Sequence, residues 1–586
     1  MGAWEAGRCI ARRANGLNSA AMTTAHIDPF LRNTRIAYFS MEIALRNEIH
    51  TYAGGLGVLA GDTARSCADL KIPVVFVTLL SRMGYLRQEI DDQGRQVDRT
   101  DPWNPSDWAT PLEAMIAIEL EGRSVWIRPW LYVLHDLDSS VPIILLDTDL
   151  AENGPADREI THYLYGGSDA YRLQQEAVLG IGGLRLLRAL GFKIDAYHMN
   201  EGHAALLTVE LLREELGSTG GAPCDLEAIR ERCIFTTHTP IEAGHDQFDY
   251  GVVERVLGDF VPMAELKHHA GGTSCNMTRL ALNLSAYVNG VASRHAETTR
   301  QMFPGYQVRA ISNGVHTGMW AHRAFARLYD ARFPQWLHEP EALAHADQLE
   351  NETVWRAHQE AKEDLIAFIK DKTGAVLDPN IALIGFARRM TGFKRPELLF
   401  TDPDQLERIS RKHPFQVVLA GKAHPHDVQG KQSIENLHRH IRNLERAIRI
   451  VFLPNHDLDV AGHLVSGTDI WLNTPLPPLE ASGTSGMKAA INGVLNLSVL
   501  DGWWLEAWIE GVTGWAIGSD VTNRGSAHAT DLYDKLRDTV LPLYYEDRAG
   551  WIRMMKETIS KIAAHFNSHR MMRRYATEAY LHRIQS

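Results

Sequence analysis

Short apolar runs alternate with longer amphipathic stretches along most of the chain. In the first half RIAYFSM (35–41), PVVFVTLL (73–80), IDAYHM (194–199) and CIFTTH (233–238) are predicted strands. In the second half IALIGFA (381–387), FQVVLAG (415–421), IRIVFLP (448–454), TDIWLN (468–473) and VLNLSV (494–499) are predicted strands. The segments between them are long enough for crossover helices. A helical stretch over about 173–190 ends at Gly191, a C′ glycine. Asn200 is placed as the cap of a helix carrying Leu206, Val209 and Leu212. Met277, Leu280, Leu284, Tyr287, Val288 and Val291 follow helical spacing. VRAIS (308–312) then leads into the loop SNGVHTGMW. The pattern is helical again from about Tyr544, a stretch expected to pack back across the first domain.

Strands alternating with helices throughout argue for an α/β chain with parallel sheets. The natural architecture is two doubly wound domains facing each other across a cleft, with ligands beyond the C-terminal strand ends. The boundaries predicted are a Rossmann-like domain at 22–320, a second at 321–560 and a helical tail at 561–586. His, Glu and Ala are frequent between Trp320 and about residue 360, the expected connection between the halves. Residues 1–21 carry arginines and no apolar stretch, and are expected to be a disordered extension before Met22.

Composition narrows the classes. With 45% hydrophobic and 23% charged residues over 586 positions, the chain can bury large cores. A formal net charge of −12 argues against a general nucleic-acid or anionic-membrane binder and leaves room for a local basic pocket. Cys9, Cys67, Cys224, Cys233 and Cys275 form no C-x-x-C pair. Reduced thiols and a cytoplasmic protein are therefore expected. No apolar run approaches the roughly 20 residues of a membrane span.

Three loops carry candidate chemistry. TYAGGLGVLAGD (51–62) follows the first strand, and its glycines fit neither G-x-G-x-x-G nor a P-loop. Two readings of it stand level: backbone N–H groups open to an anion, or a tight turn with close helix–sheet packing. FARRMTGFKRPE (386–397) sets Arg388, Arg389, Lys394 and Arg395 at a strand's C-terminal end, locally basic in an acidic chain. A charge run is usually a solvated face, but this placement favours a phosphate site. LEASGTSGMKAAINGVLNLSVLDGWW (479–504) opens on the small polar stretch Ser482 to Gly486. Met487 to Asn492 are expected to begin a helix whose N–H groups bind an anion, with Lys488 just inside it. Beside a phosphate-cradling loop, Lys488 becomes a candidate for Schiff-base chemistry with a carbonyl cofactor. Trp503 and Trp504 are read as core before sugar platform. His203, His238 and His316 fall near strand ends or loops, H-E-x-x-H and G-x-S-x-G are absent, and no metal site is expected.

Together these loops resemble the α-glucan phosphorylases, the glycogen, starch and maltodextrin phosphorylase family. EASGTSGMKAAINGVLNLSVLDG resembles its pyridoxal-phosphate lysine motif and ARRMTGFKR its phosphate-binding motif. YAGGLGVLAGD, TTHTP and SNGVHTGMW resemble its glycine loop, N-H-T segment and N-G-I-T-x-x-x-W segment. The motifs run in family order from about residue 35 to 515, and the match is nearest to the short bacterial and archaeal type. The resemblance implies a GT-B fold of two Rossmann-like domains and retaining phosphorolysis. An α-1,4-glucan and inorganic phosphate would give glucose 1-phosphate, with pyridoxal 5'-phosphate as proton relay. It implies Lys488 as the Schiff-base lysine, Thr484, Ser485 and Arg388 around the cofactor phosphate, and Trp320 against the cofactor. Arg389, Lys394 and the backbone of Gly55 and Leu56 would take the substrate phosphate. His238, Asn313, Glu480, Ala481, Ser482 and Gly483 would hold the glucosyl unit. A homodimer is the family expectation.

The sequence departs from the long enzymes of the family in several places. Ser485 and Gly486 replace their Gly and Asn, and Phe393 replaces a tyrosine. Two other classes compete with this reading. A nucleotide-sugar glycosyltransferase of the same fold would carry a second glutamate near position 488, where this chain has lysine. A non-catalytic glucan-binding protein would be expected to lose Lys488 or the Arg389 and Lys394 pair.

Overall fold

Two sheets organise the chain. The computed structural model describes residues 27–137, 139–218, 225–518 and 526–584. The expectation for residues 1–21 therefore lies outside the described residues, as do Cys9 and Cys224. In the first sheet Ile36–Ser40 pairs in parallel with Val74–Leu79 on one side and Ala196–Asn200 on the other. Cys233–Thr236, Tyr287–Gly290 and Arg309–Ala310 extend the second flank. Ser139–Asp147 extends the first flank in parallel, and Arg123–Asp136 then pairs with it antiparallel. The second sheet is wholly parallel. Its order is Ile450–Leu453, Phe415–Ala420, Ala382–Ala387, Ile470–Asn473, Leu495–Val499 and Gly514–Ile517.

Both faces of the first sheet are covered, which explains its unbroken apolar strands. Ala37 and Phe39 enter one core cluster, and Ile36 and Tyr38 enter the other. The second cluster is closed by Leu59, Ala60 and Ala64 of the Gly55–Asp69 helix and by Met571, Met572, Tyr575 and Tyr580 near the chain's end. Only the last part of the helical stretch expected to cross the first domain does so: Tyr544, Trp551 and Phe566 pack in the second sheet's core, and Met571 to Tyr580 in the first sheet's. Polar ties fix this last part: His198 Nδ1 meets the Tyr580 hydroxyl at 2.7 Å, and Asn289 Nδ2 donates to the Tyr575 hydroxyl at 2.9 Å. Met572 is 1% exposed. Met572→Ala is expected to cost about 2–5 kcal/mol through lost burial and a residual cavity. Urea denaturation should show a lower midpoint with an unchanged slope.

The structure corrects two local expectations. Helical spacing from Met277 stops at Asn283, because Tyr287–Gly290 is a sheet strand. Asn200 caps no helix; it ends its strand and turns its amide toward His238. The strands Arg123–Asp136, Ser139–Asp147 and Gly514–Ile517 add to those predicted. Cys67, Cys233 and Cys275 are free and buried.

Candidate functional site

Each sheet has a point where the chain winds away in opposite directions from adjacent strands. In the first it lies between Ile36–Ser40 and Ala196–Asn200, and in the second between Ala382–Ala387 and Ile470–Asn473. Crevices at such points hold ligands, because the two loops diverge there. The loops leaving these four strands carry the glycine segment, the Asn200–His203 turn, the basic run and the residues up to Lys488.

In the first half the glycine segment starts the Gly55–Asp69 helix. Glu42 Oε2 accepts the N–H groups of Ala53 at 2.7 Å and Gly54 at 3.1 Å, while its Oε1 accepts the Tyr165 hydroxyl at 2.8 Å. A side chain at Gly57 would fall 2.6 Å from Glu42 Oε2, so glycine is what lets the helix press on this carboxylate. Space is open around Gly54 and Gly55. The N–H groups of Gly55 and Leu56 belong to the first turn and have no intrahelical acceptor. Both readings of the loop therefore describe it: close packing on one side, an open positive helix start on the other. Arg389 reaches this region from the second half. It lies beside Tyr85, whose hydroxyl burial pushes up to about 12 against the pull of Arg389, and it acts on Tyr165 as well.

The other basic residues turn elsewhere. Arg388 Nη2 and Lys394 Nζ both donate to Glu480 Oε2, at 2.5 Å and 2.6 Å. Burial would raise the Glu480 carboxyl, but Arg388 and Lys394 outweigh it and hold it at about 2. One carboxylate between two cations leaves a surplus positive charge. Burial, and then Arg388, draw the Lys394 ammonium down to about 8. Asp501 accepts the Glu480 N–H at 2.8 Å and the Gly502 N–H at 2.9 Å, and burial pushes its carboxyl up to about 7.

Lys488 lies in the two-turn helix Ser485–Ile491, with its Nζ 4.0 Å from the centre of the Trp320 ring. The Trp320 N–H donates to both oxygens of Asp62, at 3.1 Å and 2.9 Å. Asp62 belongs to the same Gly55–Asp69 helix whose start is open, so one helix serves both regions. Lys488 is buried, and no carboxylate pairs with it among the described residues. Burial lowers its amine to about 8, with Asp62 pulling the other way. Thr484 precedes this helix, and the Ser485 hydroxyl accepts the Trp471 N–H at 3.1 Å. Ala481 is buried and Gly483 has φ +93°, a backbone suited to glycine. A side chain at Gly486 would meet Trp503 Cζ2 at 2.7 Å. That contact leaves no room for the asparagine of the long enzymes. Trp503 and Trp504 are core residues.

His238 is joined to Asn200 by a 2.6 Å contact between Nε2 and Oδ1, and its backbone N–H donates to Glu201. Glu201 has φ +74°, and burial pushes its carboxyl up to about 7 against the N–H groups of His238 and Gly202. A strained backbone at a ligand crevice is where functional geometry is commonly stored. Asn313 Oδ1 and Ser482 Oγ are buried with no hydrogen-bond partner among the described residues. Such atoms call for a partner, because an unmet buried polar group costs about 1–3 kcal/mol.

The remaining histidines have local work. His203 sits with Arg172 and Asp246. His316 accepts the Met319 N–H at Nδ1 and donates from Nε2 to Asp69 at 2.8 Å, which anchors the turn carrying Trp320. Among the described residues Asp69, His316 and His569 stand close enough to converge on a cation. The Met319 N–H commits Nδ1 of His316 as acceptor, so Nε2 keeps its proton and makes a poor metal ligand.

The site thus joins Arg388, Lys394 and Glu480 in one cluster and Lys488 and Trp320 in another. Arg389 approaches the glycine segment through Tyr165, which shares Glu42 with it, and His238 and Asn313 lie on separate loops. The sequence pattern does not single out Glu42, Asp62 or Glu201, and it points to Asn200 only as a helix cap. Their signal is an acidic or amide residue directly after a strand or within a glycine-rich helix start.

The profile of the family described as carbohydrate phosphorylase matches residues 263–510. The chain is 38% identical to the maltodextrin phosphorylase of Thermococcus litoralis over 588 residues, covering 93% of this chain and 70% of that one. It is 35% identical to the glycogen phosphorylase of Aquifex aeolicus over 600 residues, covering 93% and 86%. It is also 35% identical to the glycogen phosphorylase of Mycobacterium tuberculosis over 632 residues, covering 94% and 71%.

Proposed function

The chain belongs to the carbohydrate phosphorylase family, and from that premise we infer that it is an α-glucan phosphorylase. It transfers the terminal glucosyl unit of an α-1,4-glucan to inorganic phosphate, reversibly and with retention, giving glucose 1-phosphate. The observation that carries the cofactor assignment is Lys488: a buried amine, unpaired with any carboxylate among the described residues, stacked on Trp320 and partly neutral near pH 8. That environment fits a lysine that holds pyridoxal 5'-phosphate through its aldehyde. When bound, the cofactor supplies a phosphate with a second pKa near about 6, able to exchange a proton with substrate phosphate.

The protein's own groups bind and orient. Arg388, Thr484 and Ser485 are assigned to the cofactor phosphate. Arg389, Lys394 and the N–H groups of Gly55 and Leu56 are assigned to substrate phosphate, so that positive groups offset the repulsion of two anions. His238, Asn313, Glu480, Ala481, Ser482 and Gly483 are assigned to the glucosyl unit. The unpartnered Asn313 Oδ1 and Ser482 Oγ support this, since both can meet sugar hydroxyls. At neutral pH Glu480 is ionised and committed to two cations, so it is unsuited to act as the acid of a glycosidase pair.

The GT-B arrangement, with Rossmann-like domains at 22–320 and 321–560, is the architecture this reading uses. The two sheets and their winding points support it. A cytoplasmic homodimer completes the reading. No helix among the described residues is long and apolar enough to cross a membrane. The test is to incubate the cofactor-loaded protein with maltoheptaose and phosphate. Phosphate-dependent release of α-glucose 1-phosphate is expected. Release of free glucose without need of phosphate would sink the assignment.

A further inference from the structure

The hydrogen bonds beneath His238 can be assigned donor by donor. The Ser40 hydroxyl meets the Glu42 carbonyl oxygen at 2.7 Å. A carbonyl only accepts, so the hydroxyl proton is spent there. Asn200 Nδ2 lies 3.0 Å from the same hydroxyl oxygen and must donate to it. That orients the amide, which places Oδ1, an acceptor, against His238 Nε2 at 2.6 Å. Nε2 therefore carries the ring proton and Nδ1 carries the lone pair. Ser40 and Asn200 are both fully buried, while the His238 ring is half-buried at the end of its strand's loop. Nδ1 makes no hydrogen bond among the described residues.

We propose that Asn200 is a positioning residue that locks His238 in the Nε2-protonated tautomer, so that Nδ1 meets the glucan as acceptor for a sugar hydroxyl. The inference rests on the phosphorolysis reading above. It goes further by naming the residue that sets the protonation of His238. The relay starts at Glu42, whose carboxylate also takes the N–H groups of the glycine segment. The His238 lock and the open helix start therefore share one anchor.

The surroundings of the ring oppose a second proton. Its titratable neighbours are His198, His203 and His295, together with Glu201, whose carboxylate takes the backbone N–H of His238. Burial and these histidines draw the imidazole down to about 3. A carboxylate in place of the amide would change that balance. In Asn200→Asp the new side chain still accepts from Nε2 but favours the imidazolium, and Nδ1 becomes a donor.

Two measurements on the cofactor-loaded protein test this. Long-range 15N–1H correlation of labelled histidine, assigned with His238→Gln, should show a proton on Nε2 and a bare Nδ1 between pH 5 and 8. In phosphorolysis of maltoheptaose, Asn200→Asp should lower kcat/KM by about 10–100-fold at pH 6, with recovery as pH rises. Asn200→Ser, which loses the fixed acceptor, should lower it without recovery. A structural role alone would lower both variants in parallel at every pH. A proton found on Nδ1 of the wild type, or an unchanged pH profile in Asn200→Asp, would overturn the inference. Loss of activity in the wild type itself would overturn the proposed function, and the hydroxyl contact with it.

Discussion

Lys488→Ala is expected to abolish the near-ultraviolet and visible absorbance of bound cofactor and to lower phosphorolysis by about 1,000-fold or more, within the range of lost proton-transfer catalysis. The fold should survive, because the amine is a burden on it. Folded, Lys488 titrates at about 8; unfolded, a lysine titrates near about 10.4. Between those values the unfolded chain binds more protons, so the cofactor-free protein gains stability as pH rises through this window. The shift corresponds to about 3 kcal/mol. Lys488→Met, of similar volume, should remove this slope and raise cofactor-free stability at pH 7. Urea unfolding at pH 7 and 10 reads both effects. A Lys488→Ala protein that keeps full turnover without absorbance would end the cofactor assignment.

Glu480→Gln should have the largest effect on stability. The substitution leaves Arg388 and Lys394 buried beside a neutral amide. Breaking such a cluster typically costs about 3–5 kcal/mol. The wild-type carboxylate is held at about 2, below its unfolded value near about 4.3. Its contribution is therefore full above pH 4.3 and is lost as pH falls toward 2. Inorganic phosphate should restore part of the loss, since it supplies a replacement anion. Thermal unfolding with and without phosphate is the measurement. A larger phosphate shift in Glu480→Gln than in wild type is expected. Equal shifts would separate Lys394 from phosphate binding.

Sheet strands were legible because both halves bury them on both faces, which writes an apolar run such as Val74–Leu79 directly into the chain. Gly514–Ile517 was not, because four residues opening on glycine carry little pattern. The helical period from Met277 ran on into a strand because one apolar series serves both elements. Clusters of one charge, and the lysine beside a small polar loop, stood out along the sequence. What sequence could not supply was pairing. That Arg388 and Lys394 share one oxygen depends on a loop 92 and 86 residues further on, and that Arg389 turns to Tyr85 depends on a segment of the first half of the chain. Asn200 read as a helix cap because local rules know asparagine as one. Its partners, Ser40 and His238, are neighbours only across the sheet.

The closing segment that completes the first sheet's core sets a timetable for biosynthesis. Arg309–Ala310 leaves the ribosome roughly 260 residues before Ser568–Tyr575 follows. At about 5–20 residues per second that interval lasts about 13 to 50 s. Throughout it the sheet face of Ile36, Tyr38 and Phe76 stays partly uncovered. The nascent chain thus offers chaperones an apolar target whose lifetime is set by translation of the second half. A message that stops before the codon for Met571 yields a chain with every candidate site residue present and its oldest core still open.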